Sequence, residues 1–361
     1  MNELKVSAPG RICLFGEHQD YLNLPVIPCA ISLRISIEGK HRNDSVVHLD
    51  LPDINSEDEF ATDNTLPYVA ERDYFRSAMN VLCRAGFTFS NGFDCRIQGQ
   101  IPINAGTSSS SALVVAWVNF LARMSDQSRE LSSEEIARFA HKAEVIEFGE
   151  PGGMMDQYCT SFGGALFIEF HPKLTVQRLP VHLKSFVLGD SGEPKDTKFI
   201  LSRVKNRILD IARLISRNYR GFFLHSISLE NIDWYLNHLD REQSALLLGT
   251  IHNRDITREA LKLFLQPQFD EQKFGELLNE HQIILRDILK ISTQKINRML
   301  DAALNEGAYG GKINGSGGGG CMFVYAPENI ENVVEAINRA GGRGYIVHVD
   351  GGTKVETSEM S

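Results

Sequence analysis

Apolar and polar positions alternate through ISLRISIEG, residues 31–39, and a shorter apolar run covers residues 4–8; both predict strands. Residues 42–66 are polar and acidic, and predict a strand with a variable loop. The spacing then turns helical in YVAERDYFRSAMNVLCRAG, residues 68–86, with a glycine stop at Gly86. FDCRIQGQIP predicts a strand that feeds a loop of small residues, and ALVVAWVNFL after that loop is too long and too apolar for anything but a buried helix. A helix is predicted over 132–148, opened by the capping pattern of Ser132 and Glu135. GALFIEF predicts a strand, and helices are predicted over 201–220, 228–248 and 256–266, with a helix-rich stretch from Phe274 to Glu306. The strand CMFVYA, a helix over 328–340 and the strand GYIVHVD follow. The shift to long helical segments places a domain boundary near residues 180–187, dividing the chain into 1–184 and 185–361.

At 361 residues and 42% hydrophobic content the chain can bury a large core. A net charge of -9 argues against nucleic acid or an anionic membrane as the main partner, since both reward a basic surface. The six cysteines show no CxxC pair and no metal-ligand spacing with histidine, so they read as reduced core thiols. The start MNELKVSAPG lacks the pattern of a signal peptide, and the longest apolar run, Ala112 to Ala122, is far short of a membrane span. A cytoplasmic protein is expected.

Three stretches carry candidate chemistry. In the first, Gly106 and the run Ser108, Ser109, Ser110 and Ser111 stand directly before the buried helix. First-turn N–H groups lack partners and carry the positive end of the helix dipole, so this loop suits a polyphosphate and its metal; a serine-rich cap without a ligand is the plainer alternative. In the second, Arg11, Glu17, His18 and Asp20 sit among residues that otherwise look buried, where ionisable groups are costly unless paired or used. A structural salt bridge with a surface turn would also account for them. Asp156, flanked by methionine and glutamine in GGMMDQY, is an unusual turn former and a candidate functional carboxylate. In the third, Gly315 to Gly320 lies between a helix end and a buried strand, a place that suits a backbone clamp better than a linker.

GRICLFGEHQDY, PINAGTSSSSAL and KINGSGGGGCMF resemble the three signature motifs of the GHMP kinases (galactokinase, homoserine kinase, mevalonate kinase and phosphomevalonate kinase), across nearly the whole chain. GEHQDY with VIPCAI, EPGGMMDQ and FGELLNEHQIILRDILKIS are similar to the galactokinase branch. Thr107 stands where leucine is usual, LNLP replaces a glycine-rich step, and GDSGEPKDTK is similar to a mevalonate kinase segment. The resemblance implies an α+β, two-domain fold, an N-terminal ribosomal protein S5 domain 2-like half followed by a ferredoxin-like half. It implies a phosphate site at Asn104, Ala105, Gly106, Thr107 and Ser108 to Ser111, with ATP as donor and Ser110 and Glu144 as Mg²⁺ ligands. It further implies Asp156 beside the attacking hydroxyl with Arg11 next to it, and Glu17, His18, Asp20 and the backbone of Gly153 on a sugar. The expected activity is that of an ATP-dependent sugar 1-kinase acting on galactose or a close relative, as monomer or homodimer. A mevalonate-type kinase and a catalytically silent sugar sensor are the alternatives; the sensor's usual mark, damage to the serine loop or the aspartate, is absent from the sequence.

Overall fold

The computed structural model describes residues 3–63, 65–102, 106–194 and 197–356. Asn104 and Ala105, expected at the phosphate site, lie outside the described residues. The first half begins with β1 (Leu4–Phe15), β2 (Ile27–His41), β3 (Val46–Leu51), β4 (Ser56–Ala61), α1 (Tyr74–Arg84), β5 (Phe93–Gly99) and α2 (Ser109–Met124). It continues with α3 (Ser133–His141), α4 (Met155–Phe162), β6 (Leu166–Glu169) and β7 (Thr175–Arg178). The second half comprises β8 (Phe186–Asp190), α5 (Thr197–Asn218), α6 (Asp233–Leu236), α7 (Arg241–Phe264), α8 (Glu271–Ile283), α9 (Gln294–Asn305), β9 (Gly310–Ile313), β10 (Cys321–Tyr325), α10 (Ile330–Arg339), β11 (Arg343–Val347) and β12 (Lys354–Glu356).

A six-stranded sheet has the order β12-β1-β2-β5-β3-β4, and a four-stranded sheet the order β11-β8-β10-β9. The second is antiparallel throughout, whereas the first contains one parallel pair, β3 with β5. The buried face of the large sheet is covered by α2. Along it Val114, Val115, Val118, Phe120 and Leu121 are at most 1% exposed, each contributing roughly 1.5–3 kcal/mol by burial. Trp117 stacks on Phe120 at 5.4 Å and meets Phe75 of α1 edge-on at 5.6 Å, which fixes the rotation of α2 and so the direction its first turn faces. A separate apolar core joins the halves: Ile12, Leu14 and Phe15 of β1 and Ile27 and Ile31 of β2 pack with Phe186, Leu188, Phe264, Phe274 and Phe323. β12 then returns from the second half to pair with β1.

Several elements differ from the sequence expectation. The strand expected over 4–8 runs on to Phe15, because the Pro9-Gly10 step is absorbed as a shift in the β1–β2 register rather than a break. The helix expected over 132–148 is α3 with its capping box, followed by a π-helical turn over Lys142–Ile146. The segments expected as helices over 228–248 and 256–266 are the short α6 and one continuous α7, which opens at a second capping box of Asp240 and Gln243. All six cysteines are free. Among the described residues no helix is long and apolar enough to cross a membrane.

Candidate active site

The serine loop is shaped by backbone that turns left-handed at two positions, Gly106 with φ of +89° and Ser108 with φ of +58°. A serine in that conformation is held by its surroundings. Its hydroxyl donates to Asp156 Oδ2 at 2.6 Å, so Ser108, expected on the phosphates, has its side chain committed to the carboxylate opposite. Thr107 departs further from expectation. It is fully buried and does not reach the cleft; its carbonyl accepts the N–H of Arg11 at 3.1 Å, so it joins the loop to β1 instead.

Arg11 projects from β1 and is almost entirely buried. Its Nε and Nη2 donate to the two oxygens of Asp156, both at 2.8 Å, and its Nη1 donates to the Gly106 carbonyl at 2.6 Å. Burial disfavours this cation, but Asp156, with Glu17 behind it, outweighs the burial and holds the guanidinium above its ordinary range. A carboxylate offers about four lone-pair positions. Those of Asp156 Oδ2 are filled by Arg11 and Ser108, which leaves one on Oδ1 for an incoming group.

Asp20 lines the same cleft as Asp156. It accepts from the N–H groups of Tyr21 at 2.9 Å and Met155 at 3.3 Å. Burial, and then the charge of Asp156, push its carboxyl up to about 6. Gly153 lies against it so closely that a Cβ there would come 2.1 Å from Asp20 Oδ2, which explains why this position holds no side chain.

The remaining expected acceptor groups line the same cleft with polar atoms already engaged. Glu17 Oε2 accepts from Lys312 Nζ at 2.7 Å, and Lys312, fully buried, also donates to the carbonyls of Cys13 and Ile313 at 2.8 Å. His18 pairs through Nδ1 with the Tyr21 hydroxyl at 2.6 Å and through Nε2 with the Ser316 carbonyl at 3.1 Å. Burial lowers its pKa to about 4, so the ring is neutral at physiological pH, accepting from Tyr21 and donating to Ser316. Both side chains therefore tie the loop of the first motif to the third motif.

Glu144 comes from the π-helical turn, where Ala143, Glu144 and Val145 are all buried in succession. The wide turn brings the carboxylate under α2, where its oxygens accept from Ser111 at 3.1 Å and Gln157 at 2.6 Å. Burial raises its pKa, opposed by hydrogen bonds from Gln157, Ser110 and Ser111. One buried carboxylate beside serine hydroxyls is a donor set that fits Mg²⁺, which takes few protein ligands and completes its shell with phosphate and water. Among the described residues no cluster of three or more His, Cys, Asp or Glu could hold a metal by itself.

The glycine run closes the site. Gly315 and Gly317 to Gly320 all have positive φ, and a Cβ on Gly315 would lie 2.6 Å from the Gly106 carbonyl, so the two loops meet backbone to backbone. Asn314 fastens them, donating to the same Gly106 carbonyl at 2.8 Å and accepting the N–H of Cys13 at 2.8 Å.

The structure thus brings Arg11, Glu17, His18, Asp20, Gly106, Ser108 to Ser111, Glu144, Gly153 and Asp156 to one cleft of about 350 Å³. Sequence reading did not single out Lys312, Asn314, Gln157, Arg72 or Glu150. Lys312 and Asn314 had a signal, standing in a motif between buried strands. Arg72 had none: it falls in the stretch whose spacing predicts a helix over 68–86, whereas α1 starts only at Tyr74 and Arg72 stands in the loop before it.

Comparison with known proteins accords with this geometry. The model of the GHMP kinase N-terminal domain matches residues 73–164, that of the C-terminal domain matches 258–343, and a galactokinase galactose-binding signature matches 2–41. A mevalonate kinase of Thermococcus onnurineus is 31% identical over 360 residues, covering 97% of both chains. A galactokinase of Actinobacillus succinogenes is 27% identical, covering 92% of this chain and 88% of its own. The crystal structure of Lactococcus lactis galactokinase with galactose superposes with a TM-score of 0.87 at 22% identity, covering 98% of this chain and 95% of the other. The chain is an ATP-dependent small-molecule kinase. Within that class it belongs to the GHMP kinases, with their two-domain α+β fold.

Proposed function

We propose that this kinase phosphorylates a neutral polyhydroxylated acceptor, a hexose such as galactose or a close relative, at its 1-hydroxyl. The observation that carries the reading is the charge of the acceptor end. Arg11 is committed to Asp156 and Lys312 to Glu17, so among the described residues no cation pairs with Asp20, a carboxylate in the same cleft. An anionic acceptor would enter against that charge, whereas hydroxyls donate to it.

In this reading the acceptor hydroxyl donates to Asp156 Oδ1 and is aimed at the γ-phosphorus. The new O–P bond forms as the bond to the β–γ bridging oxygen breaks, ADP leaves, and the proton passes from the hydroxyl to Asp156. The guanidinium of Arg11 makes Asp156 a weak base, so its main contribution is orientation until the hydroxyl acidifies late in the transfer. Ser110 and Glu144 would hold Mg²⁺, which would supply positive charge against the triphosphate. The first-turn N–H groups of α2 and the glycine run face the phosphates.

A second reading, a mevalonate-type acceptor, is favoured by the 31% identical relative and by the GDSGEPKDTK segment, which leads into α5, where Thr197 and Leu201 line the cleft. A coupled ADP-release assay over galactose, N-acetylgalactosamine, glucose, arabinose, fucose, mannoheptose phosphate and mevalonate separates the two. Highest kcat/KM for a neutral sugar is expected; mevalonate exceeding every sugar overturns the proposal.

A further inference from the structure

Among the described residues that line the cleft, Arg72 is a cation that the chemistry above leaves without a task. Arg72 stands in the loop before α1, directly ahead of Asp73, whose side chain caps that helix. It lines the cleft, and its Nε and Nη2 donate to the two oxygens of Glu150 at 3.0 and 3.1 Å. Glu150 lines the cleft as well, and Lys198, from the first turn of α5, approaches the same carboxylate at 3.8 Å and Glu71 at 3.5 Å. Glu150 therefore has a second cation at hand when Arg72 leaves it.

The position of Arg72 relative to the phosphate site is fixed by α1. Ser77 of that helix donates to the carbonyl of Ala143 at 2.6 Å, which ties its first turn to the residue preceding Glu144. Tyr74, two residues after Arg72, lies in the fields of both Glu144 and Arg72. Arg72 thus stands on the side of the cleft where Glu144 lies.

The charge balance calls for such a group. A bound nucleoside triphosphate carries more negative charge than one divalent ion offsets, and a transferring phosphoryl group is stabilised by cations on its equatorial oxygens. Among the described lining residues the only arginines are Arg11 and Arg72, with no lysine. All three nitrogens of Arg11 are taken by Asp156 and Gly106. We infer that Arg72 exchanges Glu150 for the terminal phosphate of bound ATP, acting as a transferable clamp whose resting partner is Glu150. This rests on the kinase assignment and not on the identity of the acceptor.

The test uses the full-length protein with Mg²⁺ and no acceptor, comparing the dissociation constants of AMP-PNP and ADP by calorimetry. Arg72→Ala is expected to weaken AMP-PNP binding at least about tenfold, the scale of a lost charge-assisted hydrogen bond, while ADP changes less than about twofold. Arg72→Lys should fall between, and Glu150→Gln, which frees the guanidinium, should tighten AMP-PNP relative to ADP. A merely structural role would shift both nucleotides alike. Equal loss for the two nucleotides, or an AMP-PNP to ADP ratio unchanged in all three variants, overturns the inference. So does a variant whose only defect is a raised KM for the acceptor, because Arg72 would then belong to acceptor recognition. If the alanine variant does not fold, the ratio in Arg72→Lys and Glu150→Gln decides. A wrong acceptor assignment would surface only in the ADP-release screen and leave these constants untouched.

Discussion

At the scale of single residues, Asp20 makes the cleft sensitive to pH. Its carboxyl is pushed up to about 6 by burial and by Asp156, so it is ionised above that pH and protonated below it. A protonated Asp20 can accept fewer acceptor hydroxyls, and kcat/KM for the acceptor is expected to fall roughly tenfold per pH unit below about 6. His18 does not account for such a limb, since its own titration is lowered to about 4. In Asp20→Asn the limb should vanish while the overall value is lower. A wild-type profile that stays flat from pH 8 down to pH 5 would contradict the assignment. Asp20, Arg11 and Asp156 were legible in the sequence because ionisable groups inside apolar stretches need a partner or a use. The pairing of Glu17 was not legible: Lys312 lies 295 residues away, and nothing local distinguishes a buried ion pair from a ligand-binding carboxylate. The bond of Ser108 to Asp156 was not legible for a related reason, since it joins residues 48 positions apart.

At the scale of elements, the sequence marked most strands and helices but missed how one helix ends. The stretch read as one helix over 132–148 carries a π turn, and that irregularity is what buries Glu144. If Glu144 contributes to the metal site, Glu144→Gln and Ser110→Ala should each raise the Mg²⁺ concentration giving half-maximal rate by several-fold. An unchanged requirement in both variants would place the metal elsewhere. The helical middle of the chain was misdivided because the apolar spacing continues through the break between α6 and α7. The boundary is instead set by the Asp240 and Gln243 capping box, a polar signal of four residues inside a long periodic run. The Pro9-Gly10 step misled in the opposite direction, since Gly10 is required by the approach of the Thr107 carbonyl, within 2.9 Å of where its Cβ would be, and not by a turn.

At the scale of the whole molecule, the two halves share the core around Phe15, Phe186 and Phe274, and β12 is stitched to β1. Burial on that scale couples their stabilities. In a Trp234→Phe background, urea unfolding followed by the fluorescence of fully buried Trp117 in the first half should coincide with that followed by far-UV circular dichroism, to which the long helices of the second half contribute strongly. Two separated transitions would show that the halves unfold independently. The same closeness bears on how the enzyme could be remodelled in the laboratory. One backbone oxygen, that of Gly106, accepts from Arg11 and from Asn314 and is pressed against Gly315. Because no side chain owns that atom, no single replacement can compensate when one of its donors is altered. Changes at Arg11 and Asn314 are therefore expected to be coupled rather than additive, because both donate to that one oxygen.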